Sequence, residues 1–212
     1  IVVNQKAVPA FASVAPICSG STLSALPTTS TNGITGSWSP ALDNTATTSY
    51  TFTPTTGLCA TTAVVTITVN QKVVPTFAAV GPICSGTTLS ALPTTSSNGI
   101  AGTWTPALNN TATTTYTFTP TAGQCATTTT LTITVNPVTT PTFSSIGPLC
   151  SGTIISLPTT SINAIEGSWS PAFNPSATTV YTFTPGTGQC ATTTKLTITI
   201  IALPVATATP KD

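Results

Sequence analysis

The residues of this 212-residue chain best placed to do chemistry are six cysteines, and they recur as pairs at a fixed interval. Cys18, Cys84 and Cys150 each stand in a Pro-Ile/Leu-Cys-Ser-Gly segment, and Cys59, Cys125 and Cys190 each lead into Ala-Thr-Thr. An even count in a charge-poor, Thr-rich chain points to disulfides formed in an oxidising, extracellular setting. The competing reading is two reduced, buried thiols per unit. Zinc fits poorly, because the chain has no His and no closely spaced Cys pair.

Other chemistry is hard to build from these residues. Without His, neither a Ser-His-Asp nor a Cys-His arrangement exists. The acids are Asp43, Glu166 and Asp212, too scattered for paired-carboxylate catalysis or for the several carboxylates that calcium takes. A Lys-Asn isopeptide link needs a Lys and a helping acid in each unit. Lys6 and Lys72 fall in linkers, and the third linker, Asn136-Pro137-Val138, has no Lys. The expectation is a non-enzymatic protein without catalytic, cofactor-binding or metal residues and without a cofactor. With 3% charged residues, no Arg and a net charge of +1, the chain lacks the basic patch that nucleic acid requires. Mean hydropathy is +0.37, yet no apolar run approaches the ~20 residues of a bilayer span, so a soluble chain without membrane insertion is expected.

The elements that must position the cysteines are set by an internal repeat. The Pro-Ile/Leu-Cys-Ser-Gly segments begin at residues 16, 82 and 148, an offset of 66 each time. Trp38, Trp104 and Trp169 follow at offsets of 66 and 65, as do Tyr50, Tyr116 and Tyr181. The one-residue slip falls where Ser-Ala-Leu-Pro (90–93) shortens to Ser-Leu-Pro (156–158). Three repeats result, at 7–72, 73–138 and 139–201. Ile1 to Lys6 match the close of repeat one, Ile67 to Lys72, so 1–6 reads as the last strand of a preceding repeat in a longer array. Residues 202–212 leave the pattern and read as a linker to, or the start of, another module. Units this small bury a limited share of their surface and need staples.

Within a repeat, strand signals dominate. Tyr50-Thr51-Phe52-Thr53 and Val65-Thr66-Ile67-Thr68-Val69 alternate apolar with polar, placing Tyr50, Phe52, Val65, Ile67 and Val69 toward a core. Pro54-Thr55-Thr56-Gly57 has the residues of a hairpin turn. Gly33 to Trp38 reads as a further strand, Thr22 to Leu26 as a short one, and Val8 to Val14 as a Pro-interrupted edge strand. Five to seven short strands per repeat predict a β-sandwich. Trp38, Trp104 and Trp169, with Tyr50, Tyr116 and Tyr181, are the expected core anchors.

The Ile-Cys-Ser-Gly opening, the Asn-Gly-Ile-x-Gly-x-Trp centre and the Thr-Tyr-Thr-Phe-Thr-Pro…Cys-Ala-Thr-Thr close carry a resemblance over nearly the whole chain. It resembles the tandem immunoglobulin-like repeats of giant surface and secreted proteins, adhesins and gliding-motility-associated, of Bacteroidetes exported by type IX secretion. The resemblance implies an all-β tandem array of three small immunoglobulin-like β-sandwich repeats, located extracellularly, on the bacterial surface or secreted. It departs from antibody domains in that Tyr50 precedes Cys59 by nine residues rather than two, so a tyrosine corner of the antibody kind is not expected.

Two disulfide patterns are open. Pairing within repeats, Cys18–Cys59, Cys84–Cys125 and Cys150–Cys190, is the first choice. Against it, Cys18 follows the first strand of a sandwich and Cys59 begins the last, which places them at opposite ends. The second pattern joins neighbours, Cys18 with Cys125 and Cys84 with Cys190, with Cys59 and Cys150 reaching repeats beyond this stretch of the array.

Two functions follow. The first is a structural stalk or fibre segment that spaces a terminal module from the cell, with neighbouring repeats of the same chain as partners. The second is a repeated glycan- or surface-binding module acting by avidity, with surface glycans or other copies as partners. The abundant Thr is a good strand former that wets an outer face without charge; it also leaves room for an ice- or carbohydrate-binding face or for O-linked glycans.

Overall fold

The computed structural model describes residues 5–204. Residues 1–4 and 205–212 lie outside the described residues. With them go Asp212, most of the expected leading strand (1–6) and most of the expected following module (202–212). Gln5 and Lys6 are in no strand.

The described chain is all-β, and it repeats one five-strand plan three times. Repeat one carries β1 (Ile17–Cys18), β2 (Gly36–Ser39), β3 (Thr48–Pro54), β4 (Ala63–Ile67) and β5 (Val69–Asn70). Repeat two carries β6 (Ile83–Cys84), β7 (Gly102–Thr105), β8 (Thr114–Pro120), β9 (Thr129–Ile133) and β10 (Val135–Asn136). Repeat three carries β11 (Leu149–Cys150), β12 (Gly167–Ser170), β13 (Thr179–Pro185), β14 (Thr194–Ile198) and β15 (Ile200–Ile201). Each repeat has a three-stranded antiparallel sheet, β2-β3-β4 in the first, and a two-stranded parallel one, β1-β5.

By chain contacts the molecule forms two compact units that divide the middle repeat between them. Of the described residues the first holds 5–79 with 92–107 and 116–131; the second holds 80–91, 108–115 and 132–204.

In the first unit the alternation of β3 becomes a two-faced strand. Tyr50 and Phe52 are wholly enclosed, while Ser49 and Thr53 face outward. Phe52 lies opposite Trp38 on one side and Ala63 on the other, and Tyr50 lies opposite Val65. Burying each such aromatic stabilises the fold by about 2–3 kcal/mol. Gly36 lets β2 close on β3. A Cβ there would meet the Phe52 ring at 2.5 Å and the Thr53 carbonyl, so no side chain fits.

The run Val65 to Val69 is not one strand but two. The Thr47 hydroxyl accepts the Val69 N–H at 2.9 Å, and after Thr68 the chain leaves β3 and pairs with β1 instead. One apolar run thus serves two sheets. Two expected strands are absent. Thr22 to Leu26 has no ladder, and Leu23 and Leu26, three apart, are half-buried, a spacing that alternation does not produce. Val8 to Val14 forms no ladder, because Pro9 cannot donate to one; it is held instead through Val8 and Ala10 by Thr31 and Asn32.

The second unit repeats the plan. Tyr181, Phe183 and Ile198 are enclosed, Trp169 lies opposite Phe183, and Gly167 stands against Phe183 as Gly36 does against Phe52.

Candidate functional site

The cysteines are placed by the two ends of each repeat. Cys18 lies in parallel register with Asn70, and the Ser19 N–H donates to the Asn70 carbonyl at 2.8 Å. Cys59 lies by the other end of its repeat, where its carbonyl accepts the Ala7 N–H at 2.8 Å. Repeat two starts as repeat one did, with the Val73 N–H donating to the Cys125 carbonyl at 2.9 Å. Only Gln71 and Lys72 separate Asn70 from Val73, so Cys18 and Cys125 are brought together while Cys18 and Cys59 are held apart.

The bonds follow this placement: Cys18–Cys125 and Cys84–Cys190, each with Cα atoms 5.2 Å apart. The pairing within repeats, preferred on sequence, is corrected. Cys18–Cys59, Cys84–Cys125 and Cys150–Cys190 do not form, and Cys59 and Cys150 are free and exposed. The physical reason is the parallel β1-β5 pair, which carries Cys18 to the end of the repeat where the next one begins. Two disulfides fit an oxidising environment.

The anchors divide into two groups. Tyr50, Tyr116 and Tyr181 are 0% exposed, whereas Trp38, Trp104 and Trp169 are half-buried. Each indole N–H donates to a proline carbonyl, Trp38 to Pro27 at 2.8 Å, Trp104 to Pro93 at 2.9 Å and Trp169 to Pro158 at 2.8 Å. Trp38 also meets Phe11 at 4.6 Å between centroids, so it pins the strandless segments 8–14 and 22–27 over the sheet. The Tyr50 hydroxyl reaches back to the backbone of Asp43, accepting its N–H at 2.8 Å and donating to its carbonyl at 3.2 Å. A tyrosine bond to upstream backbone is therefore present without the cysteine spacing of antibodies.

A polar clamp was missed in the sequence. Ser30 is 5% exposed and donates to Asn32 Oδ1 at 2.7 Å while accepting the Ile34 N–H. Asn32 in turn grips the Val8 carbonyl and the Ala10 N–H. Ser96 with Asn98, and Ser161 with Asn163, repeat it. The signal was a Ser-x-Asn triplet recurring at the repeat period.

Asp43 accepts the Thr45 hydroxyl at 2.6 Å and the Thr45 N–H at 2.7 Å, and these bonds hold its carboxyl below the usual carboxylate range. Asn109 makes the same turn with Thr111, so this acid is replaceable by an amide. Glu166 is held by its backbone to Gln189, at 3.0 and 2.9 Å, in a shallow polar recess with Thr159, Thr160 and Thr187. An apolar cavity of about 400 Å³ lies in the first unit between Phe11, Ile17, Leu23, Leu26, Trp38 and Val65. The outward hydroxyls bond one another across strands, Ser49 with Thr66 and Thr115 with Thr132, both at 2.8 Å. Among the described residues no three of His, Cys, Asp and Glu cluster, and no helix is long and apolar enough to cross a membrane.

These features define a class: an all-β repeat protein whose successive repeats are joined by disulfides. No family model matches the chain, and no curated protein matches it.

Proposed function

We propose that the chain is a structural spacer, a stalk or fibre segment of an extracellular surface or secreted adhesin-type protein, built of immunoglobulin-like repeats. The observation that carries this reading is the pair of bonds Cys18–Cys125 and Cys84–Cys190, each of which spans a linker between repeats. A disulfide that spans a linker removes the freedom a short hinge would allow, as a load-bearing spacer needs. The upstream backbone bond of Tyr50, the two sheets per repeat and the sequence resemblance support the immunoglobulin-like assignment. The Bacteroidetes surface location and type IX export rest on that resemblance.

Mechanical pulling on single molecules tests the spacer. With both bonds intact the loops overlap, and the shortest covalent path from Cys18 to Cys190 runs through the stretch between Cys84 and Cys125. The oxidised chain should therefore extend between Cys18 and Cys190 to about a quarter of its reduced length, in proportion to the residues free to stretch. Equal extension in both states overturns the reading. Dose-dependent binding of the isolated chain to a glycan array favours the repeated adhesive module instead.

A further inference from the structure

The cavity of about 400 Å³ in the first unit lies between two layers that the fold holds apart. Its floor is the inner face of the three-stranded sheet. Trp38 lies opposite Phe52 and Val65 opposite Tyr50, so Trp38 and Val65 share the face on which Tyr50 and Phe52 are enclosed. Its roof is the pair of segments 12–16 and 22–26, neither of which has a ladder. Each roof segment is tied at its ends. The Asn44 side-chain amide donates to the Ser21 carbonyl at 2.9 Å, and the Trp38 indole N–H to the Pro27 carbonyl at 2.8 Å. Phe11 stands against Trp38 and Phe52, at 4.6 and 4.7 Å between centroids, and the Ile17 N–H donates to the Thr68 carbonyl at 3.0 Å. Anchored in this way, the roof spans the sheet without settling onto it, and Leu23, Leu26 and Val65 stay half-buried.

The opening belongs to the plan of the repeat. Repeat two has a repeat before it and another after it in the chain, and its matching residues Phe77, Leu89, Leu92, Trp104 and Leu131 are half-buried as well. Repeat one differs at one wall. Val65 stands where repeats two and three have the longer Leu131 and Leu196.

The lining defines an occupant. Among the described residues, none that lines this cavity is charged. Ser13, Thr22 and Ser24 are exposed at its edge, and Leu23, Leu26, Trp38 and Val65 wall it within. Water between such walls finds few hydrogen-bond partners, so an alkyl group replaces it favourably. A charged group would lose its hydration there without gaining a partner. The volume falls within the range of small-molecule sites, roughly 300–1,000 Å³. We infer that the cavity is a binding site for a free, uncharged, medium-chain amphiphile such as an alcohol or ester. Its alkyl chain lies along Trp38 and Val65, and its polar end lies among Ser13, Thr22 and Ser24. Because the roof covers the site, an alkyl chain that stays packed in a bilayer does not reach it. The inference adds a ligand to the spacer reading and does not depend on it.

The test titrates octan-1-ol and, separately, octanoate into the oxidised protein at neutral pH, following the methyl resonances of Ile17, Leu23 and Leu26. The expected result is saturable shifts with octan-1-ol and binding of octanoate weaker by about tenfold or more. The Val65→Leu protein should bind octan-1-ol about tenfold more weakly, the scale of one methylene in an apolar pocket, with no fall in its thermal midpoint. The two probes are compared on the unaltered protein, so that comparison needs no variant. Shifts that do not saturate, equal affinity for octanoate, unchanged affinity in Val65→Leu, or co-sedimentation with phosphatidylcholine vesicles would each overturn the inference. No arm of the test alters a disulfide, so the spacer reading stands or falls on the pulling experiment.

Discussion

The sulfur of Cys18 is bonded to that of Cys125, 107 residues further along the chain, while Cys59 of its own repeat carries a free thiol. The parallel register of Cys18 with Asn70 and the Val73 bond to the Cys125 carbonyl put the two cysteines on either side of a two-residue linker. In the chain-entropy view, closing a loop of this size stabilises by about 5 kcal/mol. Cys125→Ser should therefore lose up to that amount in urea denaturation of the oxidised protein, and Cys59→Ser should stay within about 0.5 kcal/mol of the parent. Equal losses for the two variants contradict the pairing.

Ala164 holds φ at 60°, where Gly33 and Gly99 stand in the other repeats at 82° and 83°. A side chain in this left-handed region costs roughly 1–2 kcal/mol, partly offset by the greater freedom glycine has when unfolded. Ala164→Gly is expected to raise the stability of repeat three by roughly 0.5–1 kcal/mol. Thermal denaturation followed by circular dichroism would read this as a higher midpoint for the third repeat; a fall counts against the strained turn.

Phe52 is wholly enclosed and Trp38 only half-buried, though the two rings lie 5.2 Å apart. Phe52→Ala should cost about 3–5 kcal/mol within its repeat. Trp38→Ala should cost less, because part of the indole already meets solvent. Denaturation of the two variants in parallel gives the order, and the reverse order would place the centre of the core at the indole.

The Thr45 hydroxyl and N–H hold the Asp43 carboxyl below its ordinary range. A carboxylate whose folded pKa is depressed stabilises the fold fully above its unfolded pKa, and that contribution is lost as pH falls through the folded pKa. The midpoint of unfolding should accordingly fall with acid below the ordinary carboxylate range. Asp43→Asn should remove that part of the slope while keeping the turn, as Asn109 does with Thr111. Because the carboxyl is exposed, the effect is small, and an unchanged slope in the variant would deny the bond its role.

Much of this protein is written locally. The period and the strand holding Tyr50 and Phe52 follow from residue types at fixed spacing, because alternation acts over a few neighbours. Gly33 to Trp38, by contrast, reads as one strand but opens in a turn and pairs with β3 only from Gly36, and the tryptophans expected in the core are half-buried. Other features needed the folded chain. Thr22 to Leu26 reads as a short strand but has no ladder, and its half-buried Leu23 and Leu26 stand three apart. Val65 to Val69 reads as one strand but divides when Thr47 captures the Val69 N–H. Spacing alone left the cysteine pairing open, since a short loop favours Cys18 with Cys59 by proximity along the chain. A disulfide forms only where Cα atoms come within about 7 Å. The parallel pairing of β1 with β5 is a contact between distant segments, and it decides which cysteines meet.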